Sequence, residues 1–197
     1  YSMEPMMPPE GNKILEDLAF DLSTKAHALE KSVNPFFKNS MAHLVRTMNC
    51  YYSNLIEGHN THPRDIDRAL NEDYETQPEK RNLQLEARAH MEVQRLIHEL
   101  PEGNSCVSEE FILWIHREFC SRLPNELLFV ENPLTGVFLR INPGEWRNSG
   151  VQVGRHIPPK AEDLHRFMAR FSEVYDPSRH SKMRQIIAAA ASHHRLL

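Results

Sequence analysis

The chain has 197 residues, enough for one domain, or a domain with a helical extension, that buries a sizeable core. With 40% hydrophobic and 25% charged residues and a formal net charge of −4, it lacks the clustered basic footprint of a phosphate-backbone reader, so nucleic acid is not expected as a partner. No run of eighteen apolar residues is present to cross a bilayer, and three cysteines without a Cys-x-x-Cys pair suit a reducing cytoplasm better than a disulfide or zinc framework.

The opening Tyr1-Ser-Met-Glu-Pro-Met-Met-Pro-Pro-Glu10 carries two proline clusters and neither the basic nor the apolar stretch of a secretory signal. It reads as a flexible lead-in, and residues 1–40 are assigned to that lead-in and a first helix. From Met41 the residues Met41, Leu44, Val45, Met48, Tyr52, Leu55 and Ile56 recur at helical spacing, which predicts a helix with this face buried. Gly58 stands where a left-handed C-terminal residue is wanted, and Pro63 opens a short helix containing Ile66 and Leu70. Residues 41–79 form this second region.

Residues 80–197 make the third. A helix is expected from about Arg81 to Leu100 through Leu85, Ala89, Val93, Leu96 and Ile97, ended by Pro101, Gly103 and Asn104. Ser108 is an N-cap followed by Glu109 and Glu110, with Val107 able to staple onto Ile112, and that helix should run to about Arg122. Between Pro124 and Pro159 glycines and prolines punctuate short β-prone pieces, Val137 to Ile141 and Val151 to Val153, which predicts a small hairpin. Leu164, Phe167, Met168, Phe171 and Tyr175 restore helical spacing, and Asp176-Pro177 reads as the cap and first position of a last helix carrying Met183, Ile186, Ile187, Ala190 and His194. The fold class is mainly α, a helical bundle bearing one hairpin. The abrupt apolar end, Arg195-Leu-Leu197, looks cut.

Twelve histidines are present, but no carboxylate or thiolate stands at ligand spacing on the same element, so no metal ligands are assigned. Trp114, Phe119, Phe167 and Phe171 are read as core, and His116 with Cys120 as a packed helix face without chemistry. Ser53 and Glu57, four apart, share one helix face, and Glu57 falls in the last turn before Gly58. Local electrostatics disfavours an acid at the negative end of a helix by roughly 0.3–1 kcal/mol. A residue that opposes its own local physics marks a candidate functional position.

The string Ser53-Asn-Leu-Ile-Glu57-Gly58 resembles the inhibitory motif of Fic proteins: Ser or Thr, three residues, Glu, then Gly or Asn. In matching order, Pro143-Gly-Glu-Trp-Arg147 and Val151-Gln-Val-Gly154-Arg-His-Ile-Pro158-Pro159 look like the segment that precedes that family's catalytic helix pair. Ala190-Ala-Ser-His193-His194-Arg-Leu-Leu197 is similar to the helix that runs into the Fic signature, His-x-Phe-x-acid-Gly-Asn-Gly-Arg. No Gly-Asn-Gly-Arg string occurs in the 197 residues, so no residue here is assigned a catalytic role.

What the resemblance implies is a Fic-type helical bundle with a small flap, and transfer of AMP from ATP to a hydroxyl side chain of a target protein. ATP would be the substrate, and Mg²⁺ would be held by ligands outside these residues. Glu57 would pair with an arginine of the absent loop and block the seat of the γ-phosphate, with Ser53 and Gly58 shaping that helix end. The flap around Val151, Gln152 and Val153 would pair with an extended stretch of the target. The partners implied are the target protein and the nucleotide, with a homodimer left open. The alternative is a non-catalytic, antitoxin-like module that inhibits a Fic protein in trans.

Overall fold

The computed structural model describes every residue except 1–3, 60, 102–104, 133–134, 153–156 and 197, together with the side chain at 39. Among the described residues the chain is mainly helical, with seven α-helices and a two-stranded antiparallel sheet. In order these are α1 (Lys13–Ser32), α2 (Lys38–Ile56), α3 (Pro63–Leu70), α4 (Pro78–Glu99), α5 (Glu109–Cys120), β1 (Phe129–Glu131), β2 (Phe138–Arg140), α6 (Leu164–Tyr175) and α7 (Lys182–Leu196). They fall into two compact units, one drawn from Tyr1–Asn34, Gly103–Leu113 and Trp146–Leu197, the other from Pro35–Glu102 and Trp114–Glu145.

The core of the first unit gathers Val107, Met168, Phe171, Tyr175 and Ala188, joined by Met7, Ile112 and Trp146. Three of the five come from α6, whose expected stripe is the face that is buried. Ser108 caps α5 by accepting the Phe111 amide at 3.1 Å, and Val107 and Ile112 join the same core from either side of the cap. Asp176 also caps, accepting the Ser178 amide at 2.9 Å, but what it starts is a single 3₁₀ turn, Pro177–Arg179. The last helix begins only at Lys182, after His180 returns to extended backbone.

The opening segment departs from the expected flexible lead-in. The buried Tyr175 hydroxyl accepts the Met6 amide at 2.9 Å and lies 3.3 Å from its carbonyl, Arg184 donates to the Pro8 carbonyl at 2.7 Å, and Met7 packs on the core. Prolines at 5, 8 and 9 lower the entropy cost of holding this stretch against α6 and α7.

The second unit is built on α2, α3 and α4, with Cys50, Ile66, Ala87 and Met91 as its core. Gln84, fully buried, ties the α3–α4 connection: its carbonyl oxygen accepts the Glu75 amide at 2.7 Å and its amide reaches the carbonyls of Asp65 and Asp73 at 3.3 Å each. Arg68 reinforces the same loop through Asp73 at 2.7 Å and through Glu75.

α2 corrects one sequence expectation outright. Its inward face is Thr47, Cys50 and Asn54, whereas Met41, Leu44, Val45, Tyr52, Leu55 and Ile56 are exposed, Ile56 by 83%. The helix occurs where the spacing put it, with the opposite face inward.

The hairpin also differs in part. The strand expected over Val137 to Ile141 is β2, and its partner is Phe129–Glu131, paired Phe129 to Arg140 and Glu131 to Phe138. Val151 and Gln152 belong to no strand, and Val153 lies outside the described residues.

Candidate functional site

The site begins with how α2 ends. The Glu57 amide donates to the Ser53 carbonyl at 3.2 Å, the Gly58 amide to Leu55 at 3.1 Å and the His59 amide to Asn54 at 2.7 Å. This pair of crossed bonds after residue 57 is a Schellman closure, and it needs a left-handed residue at 58. Gly58 supplies it at φ +81, as its position after the helical stripe implied.

That closure fixes Glu57 as the C-cap, directly after the last helical residue Ile56. Its carboxylate is exposed and, among the described residues, engages no hydrogen bond or ion pair. Ser53, one turn earlier, is exposed as well and has no described side-chain partner, so it does not bond back to its own helix. The sequence placed Ser53, Glu57 and Gly58 on one helix end, and the structure has them there.

The inward side of α2 and the loop that follows it have an unusual interior. Thr47 Oγ1, Asn54 Nδ2, His59 Nδ1 and Thr61 Oγ1 are buried without a hydrogen-bond partner among the described residues. His59 Nδ1 stands 3.7 Å from the Glu86 carboxylate, an ion-pair distance too long for a hydrogen bond. Each orphaned group costs roughly 1–3 kcal/mol unless water reaches it. Sequence pattern gave no warning, because Thr and Asn on a helix ordinarily read as its solvent side. Cys50, in the same seam, is inert: burial first, and then the negative charge of Glu86, push its thiol up to about 12.

Val151 and Gln152 belong to the other unit, so the structure does not bring them into one unit with Ser53, Glu57 and Gly58. Nearby, the Trp146 indole donates to Glu109 Oε1 at 2.6 Å, and the same oxygen is 2.7 Å from His165 Nδ1. Arg147 donates to the carbonyls of Ser149, at 2.7 Å, and Pro159, which ties the two ends of the connection to α6 together. Its burial lowers the guanidinium pKa. Trp146 and Arg147 were singled out by sequence; His165 was not, and nothing in its spacing marks it.

His116 and Cys120 are packed as expected. The Gly144 amide donates to His116 Nδ1 at 3.1 Å, and burial lowers the imidazole's pKa. Cys120 is buried, and burial raises its thiol pKa. Among the described residues no group of three or more His, Cys, Asp or Glu side chains could hold a metal ion, and no helix is long and apolar enough to cross a membrane. No protein-family model, curated protein or solved structure matches the chain.

Proposed function

We propose that the chain is the regulatory and front part of a Fic-type protein adenylyltransferase, which transfers AMP from ATP to a hydroxyl side chain of a target protein and is restrained by Glu57. The observation that carries this reading is the end of α2, where a Schellman closure presents an exposed carboxylate with no described partner at the negative end of the helix dipole. Local stability gains nothing from an acid there, and Ser53-Asn-Leu-Ile-Glu57-Gly58 is the string that resembles the Fic inhibitory motif.

In this reading the helical architecture is the Fic-type bundle, and the arginine that meets Glu57 lies outside the 197 residues. A carboxylate paired with that arginine removes the cation that should hold the γ-phosphate and repels the phosphate itself. The described residues do not fit a Mg²⁺ seat, and no step is assigned to that ion here. The exposed stretch at Val151 and Gln152 would lie along the target, aligning its hydroxyl.

The test compares the protein, as its gene encodes it, with its Glu57→Gly variant in Mg²⁺ and ATP labelled at the α-phosphate. Protein-bound label should rise about tenfold or more in the variant. Equal labelling overturns the restraint. Label appearing only on a separate Fic protein, and suppressed there by adding this chain, would establish the antitoxin-like alternative instead.

A further inference from the structure

Residues 4–9, ahead of α1, belong to no helix or strand, and they are held in the manner of a bound peptide. Among the described residues, no main-chain group of this stretch bonds another main-chain group. Its polar contacts run to side chains of α6 and α7 in the same unit. The Tyr175 hydroxyl accepts the Met6 amide at 2.9 Å and donates to the Met6 carbonyl at 3.3 Å, and Arg184 donates to the Pro8 carbonyl at 2.7 Å. Between these grips Met7 packs on the core, while the Met6 side chain is 66% exposed. At the two ends, Glu4 lies 3.5 Å from Arg170 and Glu10 lies 4.0 Å from Arg184.

We infer that the groove of α6 and α7 is a peptide-recognition site whose resident is the chain's own residues 4–10, and that it takes an extended, proline-bearing peptide with acidic ends when that resident lets go. The seated segment itself defines the ligand. Tyr175 and Arg184 read backbone atoms, and one buried side chain, Met7, sets the register. Prolines at 5, 8 and 9 stiffen the stretch before it binds, so little freedom is lost on docking. The charges are complementary at both ends, with acids at 4 and 10 about 19 Å apart in a polyproline-type conformation and the guanidiniums of Arg170 and Arg184 to meet them.

Release is compatible with the rest of the unit. α1 has its own cap, since Asn12 Oδ1 accepts the Leu15 amide at 3.3 Å, and it packs on α7 directly. A Cβ added at Gly11 would meet nothing within 4 Å, so the joint between this stretch and α1 has room to swing. Both ion pairs at the ends have an exposed carboxylate partner, and such pairs hold weakly.

The test uses the full chain carrying Met6→Pro/Met7→Asp, which removes the amide donor to Tyr175 and the side chain in the core. A synthetic peptide of residues 4–10, Glu-Pro-Met-Met-Pro-Pro-Glu, is titrated in, and amide chemical shifts are followed by NMR. Saturating shifts confined to α6, α7 and their neighbours are expected, with at least tenfold weaker binding to the wild-type chain, whose own segment competes at high effective concentration. The same peptide with both glutamates changed to lysine should bind about fivefold or more weakly. No saturable shift in a folded variant, equal binding to both chains, or equal binding of the two peptides overturns the inference. Should the variant fail to fold, hydrogen exchange of the wild-type chain decides. The Met6 amide should exchange at least a hundredfold faster than the slowest amides of α6 and without dependence on dilute urea, and exchange only through global unfolding overturns release. Neither Glu57 nor nucleotide enters these readouts, so failure here and failure of the adenylyltransferase reading are separable.

Discussion

The amide of Glu57 donates to the carbonyl of Ser53 across 3.2 Å, and this last bond of α2 sets a negative side chain where the helix itself is already negative. Glu57→Lys should therefore stabilise the fold by roughly 0.5–1 kcal/mol. Thermal melts at low and high salt check it: Tm should rise at low salt, and the gain should shrink as salt screens it. A fall in Tm would mean that the carboxylate has a favourable partner.

Two glycines in left-handed backbone should respond unequally to a methyl group. At Gly58, φ +81, an added Cβ meets nothing within 4 Å, so Gly58→Ala costs only the conformational strain, about 1–2 kcal/mol. At Gly144, φ +80, the same atom would sit 2.9 Å from the Arg117 Cβ, and packing strain of about 1–3 kcal/mol is added. Urea unfolding should rank Gly144→Ala as the more damaging. Equal losses would show that α5 yields around Arg117.

Tyr175 is 2% exposed, and its hydroxyl holds the opening segment through Met6. Tyr175→Phe keeps the ring in the core and removes that grip, at a cost of about 1–2 kcal/mol. Amide exchange at Met6 should accelerate while exchange in mid-α6 stays slow. Unaltered protection at Met6 would assign the anchoring to Met7 and Arg184 alone.

His116 supplies a pH dependence whose sign follows from burial. Burial lowers its pKa from 6.5, so below about that pH the unfolded chain binds a proton that the folded chain refuses. Stability is fully present above 6.5 and declines as pH falls beneath it; His90, also lowered by burial, adds a slope of the same sign. His116→Asn retains an acceptor for the Gly144 amide without titrating, so the loss of urea midpoint between pH 7.5 and pH 5 should become smaller. An unchanged loss would leave His90 and other groups as its source.

Much of the helical layout was legible because spacing and caps agreed. Ser108 with its two acids, Pro63 at the head of α3 and Gly58 at the foot of α2 each reflect a local rule that tertiary contacts left intact. α2 shows where such reading stops: periodicity tells which face needs cover, not whether the chain itself supplies it. Thr47 and Asn54 went inward because Cys50 between them meets Ile66, Ala87 and Met91, a long-range fit that no local window contains. The strand at Phe129–Glu131 was missed because three residues directly after a 3₁₀ turn are too few to display an alternating pattern. At the site, the position of Glu57 was readable from the cap alone; the orphaned polar atoms on the inward side of α2 and in the loop after it were not.

The bond from Trp146 to Glu109 has an experimental use of its own. The chain holds two tryptophans, and each unit contains one, Trp146 in the first and Trp114 in the second. Replacing either with phenylalanine leaves a single tryptophan, so emission excited at 295 nm, where the five tyrosines barely absorb, follows the denaturation of one half of the molecule at a time. Coincident curves would show that the halves melt as one cooperative body, and separated curves would show that each has a melting transition of its own.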